Sequence, residues 1–432
     1  MKGFFRSQSP ARLTALGFAL LILAGSVLLI LPCSVKNGAE LKYIDALYTS
    51  TSAVCVTGLI SVDAGDTFTP LGQFFLALLI QVGGLGVTSI GAGVILAMGK
   101  KIDLKGRSLI REASNLNSDR GVIRFLKSVL LTTLIFELTG AVLSFPVFVR
   151  DYSPLKAAGI SLFHSVAAFN NSGFDILGNY RNLIPYRDSA ALNLVTCGLI
   201  FFGGIGFLVI QEMCKYKFRF KKYSMHSKVV ISVSIALIVA GTVLLKLTEN
   251  ISWLGALFHS VSARTAGFST YPLGEFSNAG ITVIAVLMLI GASPGSTGGG
   301  IKTSTFFVLL QGIKSAAVNR TEKAFHNSIP KDAFRKASVI TLLAAAVVAV
   351  GTWIMSAAEP AIPLRDIVFE VISAFGTVGL STGITSGLGI PAKLLSIAIM
   401  FIGRLGPLTV ATLWHFGRAE RVSFPEGNIS IG

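Results

Sequence analysis

The sequence predicts an all-α integral membrane protein in which one short unit is repeated four times. Of its 432 residues, 52% are hydrophobic and only 13% are charged, which is roughly half the charged fraction of a soluble domain. Apolar runs of 18 or more residues recur along the chain, as membrane-crossing helices require. Two phrases, LFHSVAAFNNSGF at 162–174 and LFHSVSARTAGF at 257–268, are close copies.

The positive charges of the chain are concentrated in alternate connections. Five segments hold 25 of the 37 Lys and Arg residues: 1–12, 100–127, 214–228, 314–336 and 418–432. Because Lys and Arg accumulate on cytoplasmic loops, both termini are predicted to be cytoplasmic. Topology and anionic lipid thus explain the net charge of +16 without nucleic acid. The run 13–32 is too long for a signal-peptide core and is predicted to be a retained span.

Two weaker copies of the repeated phrase complete a set of four. They are LYTSTSAVCVTGL at 47–59 and VFEVISAFGTVGL at 368–380. Each copy ends in Gly and a large apolar residue, and a second glycine signal follows 24 to 30 residues later: VGGLG, FGGIG, GASPG and IGRLG. Repeats are therefore predicted at 1–100, 101–214, 215–314 and 315–432.

Each repeat reads as helix, short segment, glycine loop and helix. Segments such as 43–53 and 157–168 are too short for a core that needs about 20 helical residues, so they suit re-entrant half-helices. The eight predicted transmembrane helices are 13–32, 74–98, 122–149, 190–213, 229–247, 279–310, 337–358 and 388–416.

Four re-entrant loops in one chain favour a central pore. Irregular backbone survives at membrane depth only when it is buried in protein or lines a wet cavity. Glycine permits the backbone angles that rings of carbonyl oxygens need, and such rings replace the hydration shell of a cation. The half-helices would also direct their negative ends inward. The predicted fold class is therefore four helix–pore-loop–helix repeats around a pseudo-fourfold pore.

The loop motifs resemble those of the Ktr/Trk/HKT superfamily of potassium transporters. They are VTGL (56–59), NSGF (171–174), TAGF (265–268) and TVGL (377–380), with GSTGGGIK at 295–302. Over nearly the whole chain the closest likeness is to the bacterial Ktr-type membrane subunit.

The resemblance implies potassium uptake across the bacterial cytoplasmic membrane by a homodimer with one pore per subunit. Sodium as a coupling or activating ion is implied by the family alone. The family's partner is a cytosolic RCK/KTN-type ring that binds ATP or ADP, so no cofactor is expected on this chain. The basic cytoplasmic loops are candidate docking surfaces.

The resemblance and the repeats together predict a selectivity filter that binds potassium through backbone carbonyls. The alternative for these glycines is close helix packing, which is common in membranes. The filter residues are Val56, Thr57, Gly58, Asn171, Ser172, Gly173, Thr265, Ala266, Gly267, Thr377, Val378 and Gly379.

The stretch GASPGSTGGGIK is predicted to be a gating loop within residues 291–302. It starts at the position where the other repeats place GG or GR inside their second helix. The second helix of the third repeat is therefore the only one expected to break, just inward of the filter. Arg404 is expected to brace the closed gate; the alternative is a structural arginine between helices. The gate residues are Gly291, Ala292, Ser293, Pro294, Gly295, Ser296, Thr297, Gly298, Gly299, Gly300, Lys302 and Arg404.

Several other charged residues have open roles. Arg264 is expected to tie the third loop from behind, with Glu370 as its partner. Glu137 is either neutral and hydrogen-bonded at an interface or part of an ion path. The carboxylates of Asp63, Asp66 and Asp175 either concentrate cations at the outer mouth or serve their own loops.

Two alternative functions remain. A sodium or ammonium transporter could use the same scaffold, although a glycine in all four loops, Gly58 included, favours potassium within the family. An intramembrane enzyme is disfavoured because metal-binding spacing, a serine elbow and paired intramembrane carboxylates are missing from the sequence. The four cysteines form no CxxC pair, so the sequence suggests neither a disulfide framework nor a zinc site.

Overall fold

The computed structural model describes residues 10–97, 121–217 and 219–413. The described chain is predominantly helical, which confirms the all-α fold class; its strands are the two-residue β1 (Lys323–Ala324) and β2 (Asn327–Ser328) of one hairpin. The helices are α1 (Pro10–Ile30), α2 (Tyr43–Val54), α3 (Pro70–Leu85), α4 (Val87–Ala97), α5 (Val122–Phe148), α6 (Pro154–Phe169), α7 (Ala190–Ile205), α8 (Phe207–Tyr216), α9 (Met225–Thr248), α10 (Trp253–Ser262), α11 (Asn278–Leu289), α12 (Thr303–Val318), α13 (Lys331–Ala358), α14 (Leu364–Gly376), α15 (Ile390–Leu405) and α16 (Pro407–Thr412). One-turn helices occupy Ala64–Thr67, Ile184–Tyr186, Phe220–Lys222, Leu273–Glu275 and Thr385–Gly387.

The helices fall into four units with the same order: a long first helix, a short pore helix, and a second helix in two pieces. The long first helices α1, α5, α9 and α13 each begin or end within about six residues of the predicted bounds. They are the four described helices that are long and apolar enough to cross a membrane; the bent pair α7 and α8 would make a fifth span. The total of eight spans remains a prediction.

One contact recurs in the first three units and fixes their correspondence. A serine hydroxyl on the pore helix donates to a carbonyl of the first helix: Ser50 to Ile22, Ser165 to Glu137, and Ser260 to Ile238, at 2.6–2.8 Å. Each acceptor lies three residues before a glycine against which that serine packs, namely Gly25, Gly140 and Gly241. A side chain there would collide with the serine, so the glycines allow pore helix and first helix to meet closely.

The second helix is broken in every unit, which corrects the prediction of a single break in the third. The helices α3, α7 and α15 end at Gly86, Gly206 and Gly406, whose φ angles are 85°, 98° and 88°. These left-handed angles interrupt a right-handed helix. After Gly206 the chain turns by 104° into α8. The third unit differs only in that its break is a loop, from Ile290 to Lys302, instead of one residue.

The fourth unit closes on the first through a buried ion pair. Lys393 of α15 lies 2.7 Å from Asp45 of α2, and the two side chains are 9% and 11% exposed. Beside them, the hydroxyls of Tyr48 and Ser396 are hydrogen-bonded at 3.0 Å. Since these residues stand almost 350 positions apart in sequence, the contacts join the two ends of the row of units into a closed arrangement.

Candidate functional site

Each pore helix ends in a loop with the same unusual backbone. Two positions in every loop have left-handed φ angles, the filter glycine and the residue two places before it. Three of those preceding residues, Val56, Thr265 and Thr377, are β-branched, a residue type that strongly resists this region. In order the pairs are Val56 (56°) and Gly58 (92°), Asn171 (57°) and Gly173 (68°), Thr265 (83°) and Gly267 (79°), and Thr377 (50°) and Gly379 (92°).

The four filter glycines lie against one another in a ring. A Cβ atom at Gly58 would collide with the Ser172 carbonyl, one at Gly173 would lie 2.9 Å from the Ala266 carbonyl, and one at Gly267 would collide with the Val378 carbonyl. A Cβ at Gly379 would collide with the carbonyl of Thr57, which returns to the first loop. The twelve predicted filter residues are thus brought together around one axis, and all are buried except Gly379, which is partly exposed.

Serines from two pore helices hold the filter backbone. The Ser52 hydroxyl accepts from the Gly58 amide at 3.0 Å, and the Ser373 hydroxyl accepts from the Gly379 amide at 3.1 Å. Sequence reasoning missed both serines, although each stands six residues before its glycine. That shared spacing was the available signal.

The second glycine signal has a packing role next to the pore helices. A Cβ at Gly83, Gly203 or Gly403 would collide with the carbonyl of Val54, Phe169 or Phe375, respectively, at the inner end of the pore helix in the same unit. Glycine therefore lets each second helix touch the backbone just inward of the filter. In the third unit Gly291 meets Gly299 of its own loop instead.

The predicted gating loop fills the space inward of the filter. Toward the second unit, Thr297 donates from its amide (3.3 Å) and its hydroxyl (3.1 Å) to the Gly203 carbonyl, and Ser293 donates from its amide to Gly204 at 3.0 Å. Toward the fourth unit, the Gly299 amide donates to the hydroxyl of filter residue Thr377 at 2.9 Å. The loop therefore contacts the inner face of the filter directly.

Arg404 links the loop to the first unit. Its guanidinium donates to the Thr297 carbonyl and, on its other side, to the carbonyls of Gly83 and Gly84, the latter at 3.1 Å. In the described chain no carboxylate lies within 4.0 Å of it. Lys302 donates to the Gly298 carbonyl at 2.7 Å, which adds a second cation beside the loop.

The expected ion pair between Arg264 and Glu370 is not formed. Arg264 donates to the Ser234 carbonyl at 3.3 Å. Glu370 instead accepts from Ser381 at 2.8 Å and Thr385 at 2.5 Å, both in the segment that follows the fourth filter loop. Hydroxyl groups near the carboxylate satisfied it locally, so a distant arginine was not required.

Glu137 lies in a hydrogen-bonded interface, the first of the two roles left open. It is 6% exposed and accepts from Gln81 of α3 at 3.3 Å and from Asn170 at 3.0 Å. Asn170 also donates to the Gln81 side chain at 2.8 Å. The network joins the first two units directly behind Asn171, and its two amide partners escaped the sequence reasoning.

The outer carboxylates hold loops together. Asp63 and Asp66 accept from the amides of Tyr180 and Asn179, both at 2.7 Å, and so clasp the outer loops of the first two units. Asp175, in the outer connection of the second unit, accepts from the Leu177 amide at 3.0 Å. Burial raises the pKa of the Asp175 carboxyl to about 7, and the neighbouring Asp63 and Asp66 add to the rise. These contacts support the structural reading of the three residues.

Comparison with known proteins agrees with this architecture. A family model described as TrkH, cation transport protein, matches residues 17–232 and 225–417. The potassium/sodium uptake protein NtpJ of Enterococcus hirae is 36% identical over 98% of this chain and 97% of its own length. The Ktr system potassium uptake protein B of Bacillus subtilis is 37% identical, with the same coverage.

A solved structure has the same fold. The crystal structure of the potassium transporter TrkH from Vibrio parahaemolyticus matches with a TM-score of 0.73 and 20% identity, over 95% of this chain and 86% of that one. The family match extends over nearly the whole described chain, and the full-length relatives confirm the resemblance seen in the four loop motifs. The chain therefore belongs to the TrkH family of cation transport proteins.

Proposed function

We propose that this protein carries potassium ions inward across the bacterial cytoplasmic membrane through the ring formed by its four filter loops. The single observation that carries the proposal is the cyclic contact of Gly58, Gly173, Gly267 and Gly379. It gathers backbone carbonyls from four loops around one axis, which is the chemistry that replaces the hydration shell of potassium. The names of the Ktr relatives support potassium as the ion.

The twelve filter residues bind the ion, and the loop 291–302 with Arg404 forms the gate. The loop lies on the inner face of the filter and adds the positive charges of Lys302 and Arg404. Positive charge in the ion path opposes a cation. The closed state therefore combines steric and electrostatic obstruction.

The assembly in this proposal is a homodimer with both termini cytoplasmic. A cytosolic RCK/KTN-type ring binds ATP or ADP and controls the gate through the basic cytoplasmic loops. These features come from the family resemblance and the charge pattern, and this chain itself performs no enzymatic reaction.

The test is growth and ion uptake in cells that lack their own potassium uptake systems. Cells that express this chain with its regulatory ring should grow on low potassium and accumulate rubidium, a potassium tracer. Membrane fractionation would verify that the protein is present and folded. Persistent failure to grow under those conditions would contradict the potassium assignment.

Sodium is the second ion to test, because the relative from Enterococcus hirae is named a potassium/sodium uptake protein. Rubidium uptake should be measured with and without external sodium, and sodium-22 uptake should be measured alongside. Stimulation by sodium identifies a coupling or activating role. Sodium uptake that exceeds rubidium uptake would instead favour a sodium transporter on the same scaffold.

A further inference from the structure

A small cavity lies behind the third filter loop, where α7, α9 and α10 meet. Its volume is about 10 Å³. This is space for one water molecule or one ion of similar size. Its wall is mostly apolar, with Ile200, Ile205 and Val261 among the lining residues, and Arg264 and Ser234 bring polar groups to it.

Two polar atoms that line the cavity lack hydrogen-bond partners in the described chain, although the Arg264 guanidinium also donates to the Ser234 carbonyl at 3.3 Å. Arg264 is 8% exposed and Ser234 is 1% exposed. In the described chain, Arg264 Nε and Ser234 Oγ have no hydrogen-bond partner, and no carboxylate lies within 4.0 Å of Arg264. A guanidinium carries five N–H donors, and a buried charge without a counter-charge is costly.

The correspondence between units shows which residues occupy the equivalent position at the junction of the first and second units. The serine contacts align Ile238 with Glu137, since each accepts the serine bond three residues before its glycine. Phe201 and Gln81 both stand two residues before the second glycine signal, at Gly203 and Gly83. Arg264 and Asn170 both stand three residues before the filter glycine.

The two junctions therefore differ at all three aligned positions. Between the first and second units, the Glu137 carboxylate accepts from the Asn170 amide and the Gln81 amide. Between the second and third units, a cation, Arg264, replaces the amide of Asn170, while apolar Ile238 replaces the carboxylate. The cavity, lined by Arg264, Phe201 and Ile238, lies at this junction.

We propose that a small monovalent anion, chloride under cellular conditions, binds in this cavity and takes the place that the hydrogen-bond-accepting carboxyl group of Glu137 holds one unit earlier. Arg264 donates to the anion from Nε and Ser234 donates from its hydroxyl. In the described chain, the bond from Arg264 to the Ser234 carbonyl leaves Nε without a partner. A bound anion offsets the positive charge that Arg264 would otherwise place beside a cation filter.

The direct test is a crystal structure of the full chain with bromide in place of chloride. We expect an anomalous scattering peak within hydrogen-bond distance of Arg264 Nε and Ser234 Oγ. This measurement requires no variant and so does not depend on whether one folds. An ordered water at that position, with no halide signal at saturating bromide, would overturn the proposal.

A stability measurement tests the same site in solution. At fixed potassium, replacing gluconate by chloride should raise the unfolding midpoint of the purified protein by a few degrees and then saturate, because the anion binds only the folded state. The variant Ile238→Glu brings its own carboxylate to Arg264. It should lose this dependence on chloride.

A matched control exists in the second unit. Thr133 stands seven residues before Gly140, as Ser234 does before Gly241, and its buried hydroxyl likewise has no partner among the described residues. The variant Thr133→Val should keep the full chloride effect. A midpoint that does not respond to chloride in the unmodified protein, or a response that Ile238→Glu leaves unchanged, would contradict anion binding at Arg264.

Discussion

The filter glycines are required for two separate reasons, left-handed backbone angles and lack of space. Gly379 has a φ of 92°, and a Cβ there would collide with the Thr57 carbonyl of the first loop. Four residues on, Gly383 has a φ of 103° but no atom within 4 Å of a Cβ. The two glycines therefore share the conformational requirement and differ in the spatial one.

Alanine substitutions at Gly379 and Gly383 separate the effect of the ring contact from that of backbone strain. Gly379→Ala should abolish rubidium uptake, because the added methyl displaces the first filter loop as well as its own. Gly383→Ala should cost about 1 kcal/mol of stability through backbone strain alone and keep most of the uptake. Uptake assays with expression-matched membranes check this. Equal loss in both variants would mean that strain, not the ring contact, explains the requirement.

At this scale the sequence predicted some residues and could not predict others. The filter glycines were predictable because four copies repeat them. The partners of Arg264, Glu370 and Glu137 were not, because each depends on which polar groups the folded chain brings near them, and no repeat records that. Glu370 found hydroxyls at Ser381 and Thr385, and Glu137 found amides at Gln81 and Asn170.

Among the elements, the predicted gating loop gives the clearest expectations for mutagenesis. It is anchored on the second unit through Thr297 and on the fourth through the Gly299 amide. Its other hydroxyl contacts are local, since Ser296 donates to Ser293 at 2.6 Å and Thr303 donates to Ser293 at 3.0 Å. Loss of the anchors should free the loop without dismantling the helices on either side.

Deletion of Ala292–Gly299 should therefore raise ion flux and weaken its dependence on the regulatory ring. Thr297→Val, which removes the hydroxyl bonds but keeps the side-chain volume, should raise flux less. Ser296→Ala is the control, because its hydroxyl bonds only within the loop. Flux assays in proteoliposomes with and without the ring measure this. If the deletion leaves flux unchanged, the loop is a helix break with no gating role.

The sequence predicted the break at 291–302 but missed the breaks at Gly86, Gly206 and Gly406. A run of five glycines and a proline in twelve residues cannot remain helical. A single glycine in an apolar run is compatible with an unbroken membrane helix, so only the φ angle distinguishes the two cases. The helix bounds were predictable elsewhere because apolar run length sets them.

Over the whole molecule, the fold depends on joining the first unit to the last. The pair of Asp45 and Lys393 is nearly buried and crosses that junction at 2.7 Å. The sequence gives no sign of it, because two single charges almost 350 residues apart match no local pattern. The overall all-α architecture was predictable, since it follows from the composition and from four repeats whose irregular loop backbone is buried when the loops meet in a ring.

Breaking this pair should destabilise the protein more than breaking a surface pair. Lys393→Met leaves a buried carboxylate without its partner and should lower the unfolding free energy by about 3–5 kcal/mol. The double variant Asp45→Leu with Lys393→Met should recover much of the loss. Arg187→Ala, which breaks the exposed pair with Asp188, should cost about 0–1 kcal/mol. Unfolding in detergent measures all three, and equal losses would contradict a special role for the junction.

Gly86, Gly206 and Gly406, whose φ angles are left-handed, are also points at which the chain can bend between two helices. Rotation at one such residue would tilt the helix that follows it while the filter stays in place. Among the described residues, a Cβ at Gly86 would meet nothing within 4 Å, and one at Gly406 would meet only the Thr409 side chain. Gly206 instead lies against Pro294, and the Phe207 amide donates to the Gly295 carbonyl at 3.0 Å. Of the helices that follow these three glycines, α8 is the one whose preceding glycine contacts the predicted gating loop. A force applied to α8 would therefore reach that loop without passing through the filter.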